Sequence, residues 1–222
     1  MNNTISEIKY VVDIDMRFRI HNYLMKYATV PNLFSKAHLR TTYFDTEQLN
    51  SFMETVNGDY TKTKFRFREY INPDPNGAQY SVEIKHRKGK STWKTKELIY
   101  KEFPGVRSIR TFRELISRIN NNQNENLNHI ISKLPDKVLY KTTTIKYLRN
   151  RYNDRRYDYR YNLDTMLTVE SYQGNRFAFP SRKYYPKAIF EIKGKKIDNL
   201  PKFLEKLSLV PTSFSKFNWS LY

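Results

Sequence analysis

Charged residues spaced two apart recur along this chain: Glu7-x-Lys9, Lys62-x-Lys64-x-Arg66-x-Arg68, Glu83-x-Lys85-x-Arg87, Lys94-x-Lys96, Arg149-x-Arg151 and Glu191-x-Lys193. In an extended strand residues i and i+2 point to one side, so each segment gathers its charges on one face. Several offer apolar residues to the other face. Phe65 and Phe67 alternate with Arg66 and Arg68, Tyr80, Val82 and Ile84 with Glu83 and Lys85, and Phe190 and Ile192 with Glu191 and Lys193. Between Lys62 and Lys101, eleven basic residues, Lys88, Lys90 and Lys101 among them, stand against Glu69, Asp74, Glu83 and Glu97. Arginine forks grip phosphate oxygens bidentately, while lysine acts as a compact point charge. Such a surface suits a triphosphate or a longer phosphate chain, with a metal ion to bridge phosphates and neutralise charge developing in transfer. A carboxylate two residues from a lysine is a candidate ligand, Glu191 foremost, for Mg2+ or Mn2+ completed by waters and phosphate oxygens. A salt bridge to a neighbouring cation is the plainer role for Glu191.

Other chemistries find less support. With six glycines there is neither a phosphate-cradling loop nor a dinucleotide fingerprint. His21, His38, His86 and His129 lack zinc-ligand spacing, and no Gly-x-Ser-x-Gly elbow is present. Tyr43, Tyr70, Tyr147, Tyr159 and Trp219 are of types that stack on bases, although aromatics in strands more often belong to the core.

The chain of 222 residues fits one domain over 1–222, long enough to bury a core. Lys and Arg number 40 against 22 acids, a formal charge of +18, which attracts nucleic acid, polyphosphate, nucleotides or an anionic membrane surface. Without cysteine there are no disulfides or thiolate metal sites. Glu7, Lys9, Asp13, Asp15, Arg17 and Arg19 interrupt any signal-type apolar run, and no uncharged stretch of about 18 residues is long enough to span a bilayer. These features indicate a soluble, cytoplasmic protein.

The elements that must position the charges follow from periodicity. Residues 5–13 alternate as a strand, and Met16, Ile20, Tyr23, Leu24 and Tyr27 fall at helical spacing behind an Asp15 N-cap. A strand over Leu39–Phe44 precedes a short helix with Leu49, Phe52, Met53 and Val56 on one stripe and Gly58 beyond it. Asp45 and Thr46 end that strand and cap that helix. Residues 60–71 and 79–88 form a hairpin around Pro73, Asp74, Pro75, Asn76 and Gly77, followed by a basic strand over 91–101. Two helices lie within 108–134, around a polar tract from Asn120 to Asn128 that reads as a surface loop. Strands near 138–152, 156–170 and 187–194 precede a helix carrying Leu200, Phe203, Leu204 and Leu207, and the tail Ser213–Trp219. The class is α+β, with about eight mostly antiparallel strands. Their charged face is either a solvated sheet surface or the inside of a small barrel, since eight strands suffice for closure.

The ordered set of Glu7-Ile-Lys9-Tyr10, Thr42-Tyr-Phe-Asp45-Thr46, Asn57-Gly58, Lys64-Phe-Arg66-Phe-Arg68-Glu-Tyr70, Val82-Glu83-Ile-Lys85, Lys94-x-Lys96, Tyr147-x-Arg149, Tyr159-Arg160-x-x-Leu-Asp164-Thr165, Phe190-Glu191-Ile-Lys193 and Ser213-Phe-Ser215-Lys216-Phe217 resembles the vacuolar transporter chaperone (VTC) catalytic domain. That domain is one of the triphosphate tunnel metalloenzymes, and the likeness runs from residue 5 to 217. It implies a closed eight-stranded antiparallel β-barrel with a basic lumen and helices packed outside. It also implies a polyphosphate polymerase that moves the γ-phosphate of ATP onto a growing chain, with Mn2+ or Mg2+. By position, Lys9, Arg66, Arg68, Lys85, Arg149, Arg160 and Glu191 would be catalytic. Lys64, Lys94, Lys96, Lys193, Ser215 and Lys216 would bind phosphate, and Glu191, with Glu7 and Glu83 as lesser candidates, would hold the metal. No inositol-phosphate-sensing domain or membrane segment accompanies them, so coupled translocation would need a separate membrane subunit.

Two competing readings remain. Hydrolases of the same superfamily, such as RNA 5′-triphosphatases and tripolyphosphatases, pair two glutamates as Glu-x-Glu on the first and a late strand. Here those positions read Glu7-x-Lys9 and Glu191-x-Lys193, which favours holding a polyanion over activating water. A non-catalytic module for RNA, polyphosphate or anionic lipid would need only salt-dependent charge.

Overall fold

The alternating segments fold as strands, and their two faces separate as the periodicity requires. The computed structural model describes residues 5–31, 35–71, 78–89, 91–100, 108–119, 125–171 and 181–222. In chain order these form β1 (Ser6–Val12), α1 (Met16–Tyr27), β2 (Lys36–Asp45), α2 (Asn50–Val56), β3 (Thr61–Ile71), β4 (Tyr80–Lys88), β5 (Ser91–Ile99), α3 (Phe112–Ile119), α4 (Glu125–Ile131), β6 (Tyr140–Asp154), β7 (Tyr159–Ser171), β8 (Ser181–Tyr185), β9 (Ala188–Gly194), α5 (Lys202–Lys206) and α6 (Lys216–Leu221). Lys90, Lys101, the Pro73–Gly77 turn and residues 120–124 of the polar tract lie outside the described residues.

All pairings are antiparallel, in the order β1-β9-β7-β6-β2-β3-β4-β5, with β8 added to β7. This corrects the closed eight-stranded barrel. Among the described residues the sheet has nine strands and two free ends, β1 and β5, and one backbone bond joins those ends, Ile5 N–H to Thr92 O at 3.3 Å. The reason lies in the register: seven antiparallel steps set β1 and β5 running in opposite directions, and they overlap only at their first residues, so the described strands diverge from that contact and cannot extend a ladder.

The outer face is apolar and covered by helices. Phe44, Phe65, Phe67, Val82 and Ile84 bury against Phe112, Leu115 and Ile116 of α3 and Leu127 and Ile130 of α4, each such side chain contributing roughly 1.5–3 kcal/mol. α3 starts in a capping arrangement, with Glu114 N–H donating to Thr111 Oγ1 at 3.1 Å and Arg110 N–H to Glu114 Oε2 at 3.0 Å. Tyr10, Val12, Phe190 and Ile192 pack under Ile20 and Leu24 of α1 and Phe203 and Leu204 of α5.

Several local expectations change. Asp15 is itself helical (φ −72°, ψ −34°) and makes no side-chain cap to α1. In α2 the buried residue is Ser51, while Met53 and Val56 are exposed. The tract's end, Glu125–Asn128, is helical as the start of α4. Two elements were not anticipated, β8 and α6. The helices are also not all outside, because α6 sits on the inner face, where Phe217 packs with Leu39, Tyr43, Ile145, Tyr147, Leu167, Val169 and Ile189. A bulge in β7 between Thr165 and Thr168, opposite Lys146 and Leu148 of β6, makes this possible. Met166 takes φ +56° and stands exposed, which switches the alternation of β7 so that Leu167 and Val169 turn inward.

Candidate functional site

The inner face curls around two adjoining chambers of about 550 and 590 Å3. They share walls formed by Glu7, Arg66, Arg68, Lys85, Lys94, Arg149 and Lys193. Eleven lysines and arginines line the first chamber, which opens beside α6. Lys96, Arg151 and Arg160 are added in the second. The only carboxylates among these lining residues are Glu7 and Glu191.

The strand alternation accounts for this directly. Lys62, Lys64, Arg66 and Arg68 occupy one face of β3, and register sets Arg66 beside Glu83 of β4, and Lys85 beside Lys94 of β5. The expected Lys9, Arg66, Arg68, Lys85, Arg149, Glu191, Glu7, Lys64, Lys94, Lys193, Ser215 and Lys216 all line the first chamber. Arg160 and Lys96 line the second, with Arg160 exposed at its mouth. Glu83 lines neither and is wholly buried behind the wall. Thr41, Asn162 and Tyr43 also belong to the site and were not singled out for it. The first holds Arg68 Nε at 3.2 Å and the second donates to Glu191 Oε2 at 3.3 Å. Asn162 sits on the same two-residue beat as Arg160 and Asp164, which was the available signal.

Four carboxylates hold the cations in place. Glu83 accepts from Arg66 Nε at 2.9 Å, Arg68 Nη1 at 3.4 Å and Ser81 Oγ at 3.1 Å. Asp164 takes a bidentate fork from Arg149 at 2.6 Å on each oxygen and Lys216 Nζ at 2.6 Å. Glu191 accepts from Lys193 at 2.8 Å, Lys216 at 3.1 Å and Arg149 at 3.3 Å. Glu7 meets Lys193 at 2.8 Å, Lys9 at 3.2 Å and Lys85 at 3.4 Å. Burial pushes Glu83 up, but Arg66, Arg68 and Lys94 hold it well below the usual carboxylate range. Burial is likewise overcome for Glu191 by Lys193, Lys216 and Arg149, and for Glu7 by Lys193, Lys85 and Lys9.

The carboxylates do not balance the cavity's positive charge. Burial, together with Lys85, Lys9 and Lys62, brings the Lys64 ammonium down to about 7. Burial brings Lys85 down to about 8 despite Glu7. Glu83 pulls Lys94 up, yet burial, Arg66 and Arg68 bring it down to about 7. Tyr147 faces Arg149 and Lys216 with its ring, each at 5.3 Å. Burial would raise its phenol, but Arg68 and Arg149 bring it down to about 8. Such a cavity is set to receive anions, which would restore the lysines to full charge.

Among the described residues no three His, Asp or Glu converge to hold a metal ion. The donor set that does face the cavity is the pair Glu7 and Glu191, whose Oε1 and Oε2 each lie 2.8 Å from the Lys193 ammonium between them. Two carboxylate oxygens aimed at one cation position fit Mg2+ or Mn2+, which complete their shells with water and phosphate.

Asp45 is structural, its carboxylate accepting from the backbone N–H groups of Thr46, Ser51 and Phe52 at 2.8–3.0 Å, and Thr46 Oγ1 accepts from Asn50 N–H at 3.1 Å. Tyr43, Tyr70, Tyr147 and Tyr159 are buried, Tyr43 and Tyr147 edging the first chamber and Tyr70 the second, and Trp219 packs against Tyr185. No helix among the described residues is long and apolar enough to cross a membrane.

Comparison with known proteins agrees with this architecture. The fold resembles an adenylate cyclase candidate from Bacillus halodurans at 13% identity, covering 95% of this chain and 92% of that one, with a TM-score of 0.57. It also resembles an adenylyl cyclase candidate from Hippeastrum, described as having a dominant triphosphatase activity, at 13% identity over 96% and 93% of the two chains and a TM-score of 0.55. No curated protein sequence matches the chain. The VTC domain profile matches residues 4–221, nearly the whole length, and the chain therefore belongs to the VTC domain family.

Proposed function

We propose that this chain is a polyphosphate polymerase that transfers the γ-phosphate of ATP to the end of a growing phosphate chain held in the basic cavity. The observation that carries this reading is the state of the carboxylates. Every one at the site is held in its ionised form by two or more cations, which makes each a poor base. An attacking water must lose a proton, and among the described residues of this site no carboxylate is poised to take it. A terminal phosphate arrives already ionised, since its second pKa is about 6, and needs no base. Its oxygen forms the new bond to the γ-phosphorus while the bond to the β-phosphate oxygen breaks and ADP leaves.

The protein's own work is then positioning and charge neutralisation. Arg66, Arg68 and Arg149 are fixed by Glu83 and Asp164, so their forks meet phosphate oxygens with little further ordering. Lys9, Lys64, Lys85 and Lys94 add point charges along the same wall. Ser215 and Lys216 face the first chamber, and Lys96 and Arg160 the second, so the two chambers suit a donor nucleotide and the extended chain. Mg2+ or Mn2+ held by Glu191 with Glu7 would neutralise charge on the transferring phosphoryl group.

The test is incubation with γ-labelled ATP and Mn2+ or Mg2+, products being resolved on a gel beside Glu191→Gln. A metal-dependent ladder of phosphate chains, lost in the variant, supports the polymerase. The activity described for the Hippeastrum protein makes hydrolysis the outcome to exclude. Free phosphate from ATP, tripolyphosphate or triphosphate-ended RNA without a ladder would move the assignment to a triphosphatase. No turnover with either metal would leave a polyanion-binding module.

A further inference from the structure

The two carboxylates that face the cavity are already bridged by a cation, and that cation belongs to the protein. The Lys193 ammonium lies 2.8 Å from Glu7 Oε1 and 2.8 Å from Glu191 Oε2, joining β1 to its sheet neighbour β9. The remaining carboxylates are no substitute. Glu83 and Asp164 are wholly buried and committed to Arg66, Arg68 and Arg149. A divalent ion entering the free protein therefore meets a filled position inside a wall of lysines and arginines, and like-charge repulsion in a partly desolvated site is strong.

We propose that Lys193 is a built-in competitor for the divalent cation, which enters only together with a phosphate chain. The inference rests on the phosphate-handling reading above. A bound chain supplies negative charge to both parties: it gives the displaced ammonium a new partner and brings the metal its own oxygen ligands. Lys193 then exchanges Glu7 and Glu191 for phosphate, and the metal takes the place between the two carboxylates. The same side chain thus serves as counter-ion in the free protein and as phosphate ligand in the loaded one. Binding of metal and chain is coupled, and the coupling is reciprocal.

The experiment measures Mn2+ binding by the loss of the free-ion paramagnetic resonance signal, separately from any turnover. For the wild-type chain with Mn2+ alone we expect no saturable binding at micromolar protein. Lys193→Met, which keeps an unbranched side chain one atom shorter and removes its charge, should bind one Mn2+ about 10- to 100-fold more tightly, the usual span of such couplings. Lys193→Met with Glu191→Gln should lose that gain. Since a variant at this bridge could fail to fold, each is checked by its melting curve. A measurement on the wild type alone stands beside them: equilibrium dialysis against Mn2+ with tripolyphosphate should retain both on the protein, and Mn2+ without it should pass freely. Tight binding of Mn2+ alone to the wild type, or a folded Lys193→Met that gains nothing, would overturn the competition and leave the polymerase reading intact. Failure to retain tripolyphosphate under any condition would overturn the phosphate-handling reading, while a gain in Lys193→Met would still identify Lys193 as the metal's competitor.

Discussion

Lys64 makes the binding of a phosphate chain depend on pH in a way that can be calculated. Its Nζ donates to Ser215 Oγ at 3.1 Å and Asn218 Oδ1 at 3.4 Å and lies over the Phe217 ring. Burial and the cations Lys85, Lys9, Lys62 and Arg66 bring it from 10.5 to about 7. A bound phosphate favours the charged form, so above pH 7 binding must be accompanied by proton uptake. For one such group the dissociation constant rises about tenfold per pH unit until the bound-state value is reached. Between pH 7.5 and 9.5 that is about 100-fold. Lys85, at about 8, steepens the slope in the upper part of the window. Lys94 adds less, because its side chain is 45% exposed and water screens it. Titration calorimetry with tripolyphosphate, in two buffers of different ionisation enthalpy, reads both the constant and the protons taken up. The terminal phosphates of tripolyphosphate repel each other's charge and lose their last proton later than an isolated phosphate, so the free ligand's own titration is measured separately and subtracted. Lys64→Met should remove about one proton from the count. A constant that is flat from pH 7.5 to 9.5 after that subtraction, or an unchanged count in the variant, would refute the argument. The free protein carries the same linkage. Because the unfolded lysine binds a proton that the folded one has lost, stability increases as pH rises from about 7 to 10.5.

Two further outcomes test other parts of the site. Tyr147, at about 8, should give an early phenolate absorbance step that is missing in Tyr147→Phe and moves upward when tripolyphosphate screens Arg68 and Arg149. A first phenolate step at the ordinary tyrosine value would count against its placement between two arginines. Arg149→Met leaves the wholly buried Asp164 without its bidentate partner and should cost about 3–5 kcal/mol, a fall in melting temperature of the order of 10 °C. A loss below about 1 kcal/mol would mean that water reaches Asp164 and screens it.

The strand faces were legible because alternation is local. Lys62, Lys64, Arg66 and Arg68 against Phe65 and Phe67 could point only one way once β3 was extended. The site therefore came out largely assembled, with cations, Glu7 and Glu191 on one wall. Long-range and weakly marked features were not legible. The Lys193 bridge was half legible: Glu191 stands two residues away on the same beat, but its other end, Glu7 on the first strand, is announced by no spacing. Asn162 was passed over because an amide between Arg160 and Asp164 carries no charge. Ser181–Tyr185 is too short to show a period, and α6 was concealed in an aromatic tail, although Ser215 does cap it by accepting from Asn218 N–H at 3.3 Å. The switch of face at Met166 depends on a bulge, and a two-residue beat cannot foretell where it will skip. Nor does alternation say whether the two ends of a curled sheet will join.

That unjoined seam has a mechanical consequence. In a closed barrel the ladder acts as a hoop and bears the outward push of like charges inside. Here the hoop is cut among the described strands, and a backbone bond from Ile5 to Thr92 and the ion pair of Glu7 with Lys85 span the gap. One such bond is worth about 1 kcal/mol, little against the repulsion of the lysines behind it. The wall is thus a clasp strained by electrostatics, the strain eased by salt, raised by acid that charges its lysines, and relieved by the very polyanion it encloses.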